Sequence, residues 1–143
     1  MTQPVRITRL HPSVVLPIYQ TEGAAGFDLA ASEPMTIHPG QVALVPTGLV
    51  IEVPAGYFLG VFARSSTPLK RGLIVANGVG VVDSDYSGPT DEIKIQVLNV
   101  TSAPVAVERG DRLAQGVLIP FVRAVWTEGT ATGPSRGGFG STG

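Results

Sequence analysis

Two carboxylates stand close together in GVVDSDYSG, the segment that covers residues 80–88. Asp83 and Asp85 are two residues apart, so in a strand both side chains would point to one face. Aspartate is ordinarily ionised at neutral pH and can accept a proton. However, Asp and Gly after an apolar run are also common turn formers that hydrogen-bond their own backbone. The segment alone is compatible with a plain turn and with a catalytic site.

This segment belongs to one of five polar clusters that lie between the apolar runs of the chain. They are AGFDL (25–29), RSS (64–66), NGVGVVDSDYSG (77–88), GDRLAQ (110–115) and RGGFGSTG (136–143). Each has an ordinary structural interpretation: Asp28 can cap a turn, Arg64 can be solvated, and Asp111 with Arg112 can form a weak surface ion pair. The glycine-rich stretch can hold phosphates through backbone amides, but it lacks the lysine of the common nucleotide loop. No cluster is specific by itself.

Composition excludes several classes of protein. The 143 residues are 43% hydrophobic and 15% charged, which predicts one folded domain rather than a disordered chain. A formal net charge of −1 predicts neither a nucleic-acid nor a membrane-surface partner. The absence of cysteine excludes disulfides and thiolate ligands. His11 and His38 stand beside prolines, so we expect both in loops and no histidine-rich metal site.

The N-terminal residues MTQPVRITRL do not contain the apolar core of a signal peptide. No segment approaches the ~20 apolar residues of a membrane-spanning helix. We therefore expect a soluble, cytoplasmic protein without a membrane partner.

Short apolar runs between frequent Gly and Pro residues predict an all-β domain. Ile93, Ile95 and Val97 alternate with polar residues, the pattern of a half-buried strand. The only candidate turn of helix is at 110–116. The expected strands cover residues 5–10, 27–31, 41–53 with a candidate bend at Pro46, 57–63, 73–77, 78–83, 92–100, 104–108 and 116–126. Such a pattern favours a sandwich, a jelly roll or a barrel.

The composition changes after Trp126, where the chain becomes rich in Gly, Ser and Thr. A segment of this kind cannot pack a core by itself. By composition it is a frayed tail.

Taken together and in this order, the five clusters resemble the five motifs of the dUTP diphosphatase (dUTPase) family. The closest matches are AAGFDLAA, RSS, NGVGVVDSDYSG, GDRLAQ and GGFGSTG, and the resemblance extends from about Leu16 to the last residue. It implies a distorted jelly-roll β-barrel over residues 1–128 and a flexible C-terminal lid over 129–143. It also implies a homotrimer whose active sites draw residues from more than one subunit.

The implied reaction is the Mg²⁺-dependent hydrolysis of dUTP to dUMP and pyrophosphate, which keeps uracil out of DNA and supplies dUMP for thymidylate synthesis. By resemblance, Asp83 holds and activates the water that attacks the α-phosphorus. We interpret Asp85 as structural, bonded to turn amides or to a neighbouring arginine. Tyr86 matches the tyrosine that packs under deoxyribose and leaves no room for a 2'-hydroxyl. The segment around Asn77 resembles the hairpin that reads uracil through its backbone.

The resemblance also assigns phosphate ligands. Arg64, Ser65 and Ser66 match the second motif, and Gln115 matches the phosphate contact of the fourth. A forked guanidinium and hydroxyl donors suit phosphate oxygens. Asp28 matches an acid that reaches the waters of a Mg²⁺ ion, which the three phosphates mainly hold. No protein cage for the metal is then expected.

The glycine-rich tail acquires a second interpretation from the resemblance. Phe139 matches the phenylalanine that stacks on uracil when the tail closes, while Gly140, Ser141 and Thr142 with nearby amides cover the γ-phosphate. The supposed frayed tail would then be a lid.

The chain departs from the family pattern at two places. The phosphate-binding arginine of the last motif usually precedes the phenylalanine by five residues, where this chain has Pro134. Arg136 lies three residues before Phe139, so it either reaches the γ-phosphate by another path or binds it more weakly. The second departure is PTD (89–91), which lengthens a turn with little expected consequence for the chemistry.

Two rival functions stay open. The first is a dCTP deaminase or a bifunctional enzyme of the same superfamily, but this chain has Gln96 where deaminases have their catalytic glutamate. Glutamine cannot shuttle a proton, which disfavours deamination. The second is a nucleotide-binding or regulatory module without turnover, because a fold alone does not determine function.

Overall fold

The structure is a computed structural model that describes residues 1–141. Its strands are β1 (Arg6–Arg9), β2 (Phe27–Ala30), β3 (Met35–Ile37), β4 (Val42–Pro46), β5 (Leu49–Glu52), β6 (Tyr57–Ala63), β7 (Leu73–Val75), β8 (Gly80–Val82), β9 (Lys94–Asn99), β10 (Val105–Val107) and β11 (Arg112–Pro120). One short helix, α1 (Ser66–Arg71), lies between β6 and β7. Within residues 1–141, no helix has the length and apolar composition needed to cross a membrane.

The strands form antiparallel sheets, of which the largest positions the candidate site. Its order is β2-β11-β6-β8, and the other sheets are β4-β9-β7, β10-β3 and β1-β5. The all-β, jelly-roll-like class is confirmed, and the sheets are open rather than closed into a barrel. Closure requires a continuous ladder around the sheet. In the described chain β2 and β8 are edges of the largest sheet that do not pair with each other.

The core forms where the inward faces of these sheets meet. In β9 the exposed Lys94 is followed by buried Ile95 and Val97, so the alternation read from the sequence is confirmed. Residues at the centre of the core, each at most 1% exposed, include Leu29, Ile37, Val45, Leu59, Leu73, Ile95 and Leu113. Burial of this apolar surface is the main favourable contribution to folding.

Most expected strands are present with small shifts at their ends. The segment 57–63 is β6, and the long run 41–53 is divided between β4, which ends at Pro46, and β5. The three-residue β3 was not expected, because it is too short to show a period. His11 and His38 lie outside the strands and the helix, as expected.

The candidate turn of helix at 110–116 is not helical, and the strand expected at 116–126 is present but begins and ends earlier. Residues from Arg112 onward belong to β11, which lies between β2 and β6 and ends at Pro120. Two flanking strands satisfy the backbone of this segment, so tertiary pairing overrides its weak strand propensity. Beyond Pro120, Val122 and Trp126 are 97% and 91% exposed, because no described element of the chain packs on them. A domain boundary after residue 128 stays a prediction.

The helix α1 was missed because its sequence, STPLKR, is short and contains a proline. Proline is tolerated in the first turn, where its missing N–H would have no partner. Gly72 ends the helix with a φ of 66°, a left-handed conformation that favours glycine. The first-turn proline, Pro68, and the terminating glycine, Gly72, were both visible in the sequence.

Candidate active site

Three charged side chains meet at one end of the largest sheet, and we call Asp28, Arg64 and Arg112 the arginine cluster. Arg64 Nε lies 2.8 Å from Asp28 Oδ1, and Arg112 donates a hydrogen bond from a guanidinium nitrogen to Asp28 Oδ2 at 3.1 Å. The Asp28 side chain is only 12% exposed. Two guanidinium groups on one carboxylate leave a net charge of +1. The cluster is therefore suited to phosphate oxygens.

Strand register explains why these distant residues meet. In β11, Gln115 stands opposite Asp28 of β2 on one side and Phe62 of β6 on the other. The Gln115 amide donates a hydrogen bond to the carbonyl of Ala63 at 3.0 Å. A Cβ at Gly26 would lie only 2.6 Å from Gln115 Oε1. Glycine at position 26 therefore makes room for the Gln115 side chain. The first, second and fourth motifs thus converge, as the resemblance implied.

Thr67 joins two of these motifs and was missed by sequence reasoning. It is fully buried, and its hydroxyl accepts a hydrogen bond from the Arg64 N–H at 2.9 Å and donates one to the Leu113 carbonyl at 2.9 Å. A guanidinium nitrogen of Arg64 also donates to the Arg112 carbonyl at 3.2 Å. In the sequence, only the position of Thr67 directly after RSS could have indicated that it belongs to the site. Thr67 holds the start of α1 against β11.

The local ion pair considered for Asp111 and Arg112 is wrong. Asp111 pairs with Arg71 of α1 at 2.8 Å, whereas Arg112 pairs with Asp28. Neighbouring residues of an extended chain point in opposite directions, so they seldom pair with each other. Arg112 is thereby a site residue that sequence reasoning did not assign.

The serines of the second motif lie at the start of α1. Ser65 occupies the N-cap position and is exposed, and its hydroxyl makes no capping hydrogen bond. The Ser66 hydroxyl accepts a hydrogen bond from Arg64 at 3.4 Å. The Ser65 hydroxyl is therefore available to a ligand beside the arginine cluster.

The third motif occupies the opposite end of the sheet, where residues 83–86 form the turn that we call the Asp83 turn. The Tyr86 N–H donates to the Asp83 carbonyl at 3.2 Å, which closes it. Both Asp83 and Asp85 are exposed, and neither carboxylate bonds to another side chain or amide within residues 1–141. The bonds expected for Asp85 are thus not found there. Asn77 lies in the exposed turn between β7 and β8, where its carbonyl accepts from the Val79 N–H at 2.9 Å.

Within one chain the arginine cluster and the Asp83 turn are far apart. The register of β8 on β6 places Asp83 opposite Phe58, whereas Asp28 is in line with Phe62 and lies three strands away from β8. With ~3.3 Å per residue and ~4.8 Å per strand, the backbones of Asp28 and Asp83 are about 20 Å apart. A single subunit does not bring all of its motifs together.

The tail follows β11 without further strand or helix up to residue 141. Phe139 is fully exposed and has a φ of 49°. The Gly138 N–H donates to Ser141 Oγ at 2.7 Å, which gives the tail a small turn of its own around Gly140. Arg136 is exposed. Thr142 lies outside the described residues.

The fold and the site define a jelly-roll-like β protein in which two arginines share one aspartate at one end of a sheet and a turn with exposed carboxylates lies at the other. The dUTPase family model matches residues 13–143. The deoxyuridine 5'-triphosphate nucleotidohydrolase of Desulfitobacterium hafniense (strain DSM 10664 / DCB-2) is 52% identical over 134 residues, 90% of this chain and 87% of the relative. That of Rhizobium meliloti (strain 1021) is 49% identical over 135 residues, 90% of this chain and 82% of the relative. The chain belongs to the dUTPase family.

Solved structures agree with this assignment. The crystal structure of dUTPase from Streptococcus mutans matches with a TM-score of 0.79 and 37% identity, over 87% of this chain and all of that one. The structure of Staphylococcus bacteriophage 80alpha dUTPase with dUPNHPP matches with a TM-score of 0.87 over 99% of each chain. Its identity of 20% makes it a likeness of fold alone.

Proposed function

We propose that this protein hydrolyses dUTP to dUMP and pyrophosphate. The observation that carries the proposal is the family match over residues 13–143, which includes the arginine cluster and the Asp83 turn. Relatives that are about half identical carry the name deoxyuridine 5'-triphosphate nucleotidohydrolase. In the reaction a water oxygen bonds to the α-phosphorus, and the bond to the oxygen that bridges the α- and β-phosphorus atoms breaks.

Asp83 is the general base in this proposal. Its exposed carboxylate accepts a proton from the attacking water, which raises the nucleophilicity of the oxygen. Negative charge accumulates on the phosphate oxygens and on the leaving pyrophosphate. In the proposal, hydrogen bonds to those oxygens come from Arg64, Ser65, Ser66 and Gln115.

Mg²⁺ bound with the triphosphate would neutralise part of its charge. The described residues contain no group of three His, Cys, Asp or Glu side chains that could hold a metal ion. A Mg²⁺ ion that is held mainly by phosphate oxygens and water needs few protein ligands. Asp28 is the residue we assign to its waters, because each carboxylate oxygen keeps a further acceptor site beside its arginine.

Selectivity and closure are assigned to exposed residues. Tyr86 offers a ring to the deoxyribose, and the turn at Asn77 offers backbone groups to uracil. The fully exposed Phe139 is proposed to stack on the base when the tail closes, with Arg136, Gly140, Ser141 and Thr142 at the γ-phosphate. The exposure of Phe139 in the single chain is consistent with a residue whose partner is a ligand.

A homotrimer with shared active sites is the assembly that we propose. The separation of about 20 Å between the arginine cluster and the Asp83 turn supports a site to which two subunits contribute, because one triphosphate is too short to reach both. Exposed apolar side chains at 121–126 support association.

Mixing two inactive variants tests the shared site. Asp83→Asn and Arg64→Ala subunits, unfolded and refolded together in equal amounts, should recover about one quarter of the activity, because random assembly completes that share of two-subunit sites. Each variant refolded alone is the matched control. No recovery, in mixtures that sedimentation shows to be hetero-oligomers, would reject the shared site.

The reaction itself is tested by pyrophosphate release with Mg²⁺ from dUTP, dCTP, dTTP and UTP in parallel, with ammonia release from dCTP followed in the same run. We expect turnover of dUTP alone. Ammonia from dCTP would favour the deaminase, and no turnover of any nucleotide would favour a binding module.

A further inference from the structure

The inserted residues 89–91 do not form an open loop. The Asp91 N–H donates to the Gly88 carbonyl at 3.0 Å, and the Gly88 N–H donates to Asp91 Oδ2 at 2.8 Å. These two reciprocal hydrogen bonds, which we call the Asp91 clasp, join the first and last residues of the turn. The ends of the insertion are therefore held together although the chain between them is longer.

Closure of this turn brings Glu92 beneath Tyr86. The Tyr86 hydroxyl donates to the Glu92 carbonyl at 3.0 Å. Tyr86 is 41% exposed as a residue, so a ligand can still reach it. The hydroxyl contact therefore determines how the ring is oriented without covering it.

Glu92 is in turn a fixed point, because the core holds it from the other side. Its carboxylate accepts a hydrogen bond from the Gly48 N–H at 2.8 Å, and the next residue, Ile93, donates its N–H to the Leu49 carbonyl at 2.8 Å. Ile93 is buried. Because Glu92 is held against the core, its carbonyl gives the Tyr86 hydroxyl a fixed hydrogen-bond partner.

The same tyrosine is bonded to the proposed base residue, since its N–H closes the Asp83 turn. Tyr86 is thus held at its backbone by Asp83 and at its hydroxyl by Glu92. If no contact closed this loop, its three extra residues would allow it many more conformations. The Asp91 clasp reduces the number of those conformations.

We propose that Asp91 is a positioning residue that sets the Tyr86 ring and thereby the discrimination between deoxyribose and ribose nucleotides. The proposal rests on the proposed function, in which Tyr86 packs under the sugar. It makes the insertion part of the specificity of the enzyme, whereas little consequence was expected from the sequence.

The test compares Asp91→Ala with Asp91→Asn and takes as the preference for dUTP the ratio of the inhibition constant of UTP to the KM for dUTP. Asp91→Ala should lower the preference for dUTP over UTP by roughly threefold to tenfold, the effect of losing one ordinary hydrogen bond. Asp91→Asn keeps an acceptor oxygen for the Gly88 N–H, so its preference should be that of the unsubstituted protein.

Tyr86→Phe provides a second route to the same result. It removes the hydroxyl from an exposed ring and should cause a similar loss of preference, and adding Asp91→Ala to it should cause no further loss. An unchanged preference in Asp91→Ala, or an equal loss in Asp91→Asn, would overturn the role of the clasp. Failure of the unsubstituted protein to hydrolyse dUTP would instead overturn the proposed function.

Discussion

The arginine cluster and the Asp83 turn lie at opposite ends of one sheet and are built in different ways. In the cluster, Asp28 is largely buried and both of its oxygens are bonded to guanidinium groups. In the turn, Asp83 and Asp85 are exposed and their carboxylates have no partner within residues 1–141. One region is complete within a single chain, and the other presents unpaired charge to its surroundings.

The proposed function gives a physical reason for this difference. Charges that are partly removed from water need partners, and the cluster provides them between strands that are far apart in sequence. This pairing fixes the arginine side chains before a phosphate arrives. A carboxylate that takes a proton from water must instead keep its oxygens unoccupied. In the proposed function, the first region binds phosphate and the second accepts a proton from water.

Asp83→Asn should cause the largest loss of turnover, because it changes the exposed carboxylate of the Asp83 turn. Because the exposed side chain makes no hydrogen bond or ion pair in the described chain, folding stability should be unchanged while kcat falls by at least ~10²-fold, the low end for a positioned general base. Pyrophosphate release and thermal unfolding are the measurements. Asp85→Asn is the matched control, since it removes an equally exposed carboxylate from the same turn and should retain most activity. Near-normal turnover of Asp83→Asn would reject the base.

Asp28→Ala should have an intermediate effect on activity and, unlike Asp83→Asn, should also lower stability. It leaves Arg64 and Arg112 close together without the carboxylate that separates their charges. We expect kcat/KM for dUTP to fall roughly tenfold, the effect of losing a charge-assisted contact that orients the arginines. Steady-state kinetics at low and high salt measure this loss. Asp28→Asn, which keeps one acceptor oxygen, should lose less, and equal losses would contradict the orienting role.

Thr67→Val should have the smallest effect on turnover while revealing how the cluster is held. The change leaves the Arg64 N–H and the Leu113 carbonyl without their buried partner, which should lower the free energy of unfolding by about 1–3 kcal/mol. Urea unfolding measures it. Thr67→Ser keeps the hydroxyl and serves as the control. Equal stability of the valine and serine variants would show that the hydroxyl does not hold α1 to β11.

Local features were predictable from the sequence because they depend on neighbouring residues. The alternation around Ile95 predicts a half-buried strand whatever its partner, and β9 has that pattern. The Asp83 turn lies within a few residues of chain, so a turn could be predicted there from Asp and Gly, whereas the role of Asp83 came from the family resemblance. The order of the five motifs was enough to indicate the family.

Partners across the sheet could not be predicted in the same way. The strand β11 was divided wrongly between a helix and a later strand, because its pairing with β2 and β6 is invisible to local propensity. The pairing of Arg112 with Asp28 follows from that register, and the Thr67 hydroxyl reaches the Leu113 carbonyl of β11, which is 46 residues further along the chain. The Asp91 clasp was likewise hidden, since PTD resembles any longer turn.

The sequence by itself determined the all-β class, the turns and the residues available for chemistry, because periodicity and turn preference act over a few residues. Only the tertiary structure decided which of those residues meet, since contacts between distant strands depend on register and packing. It placed Asp28, Arg64 and Arg112 together and Asp83 about 20 Å away, a separation set by the strand spacing and rise of the sheet.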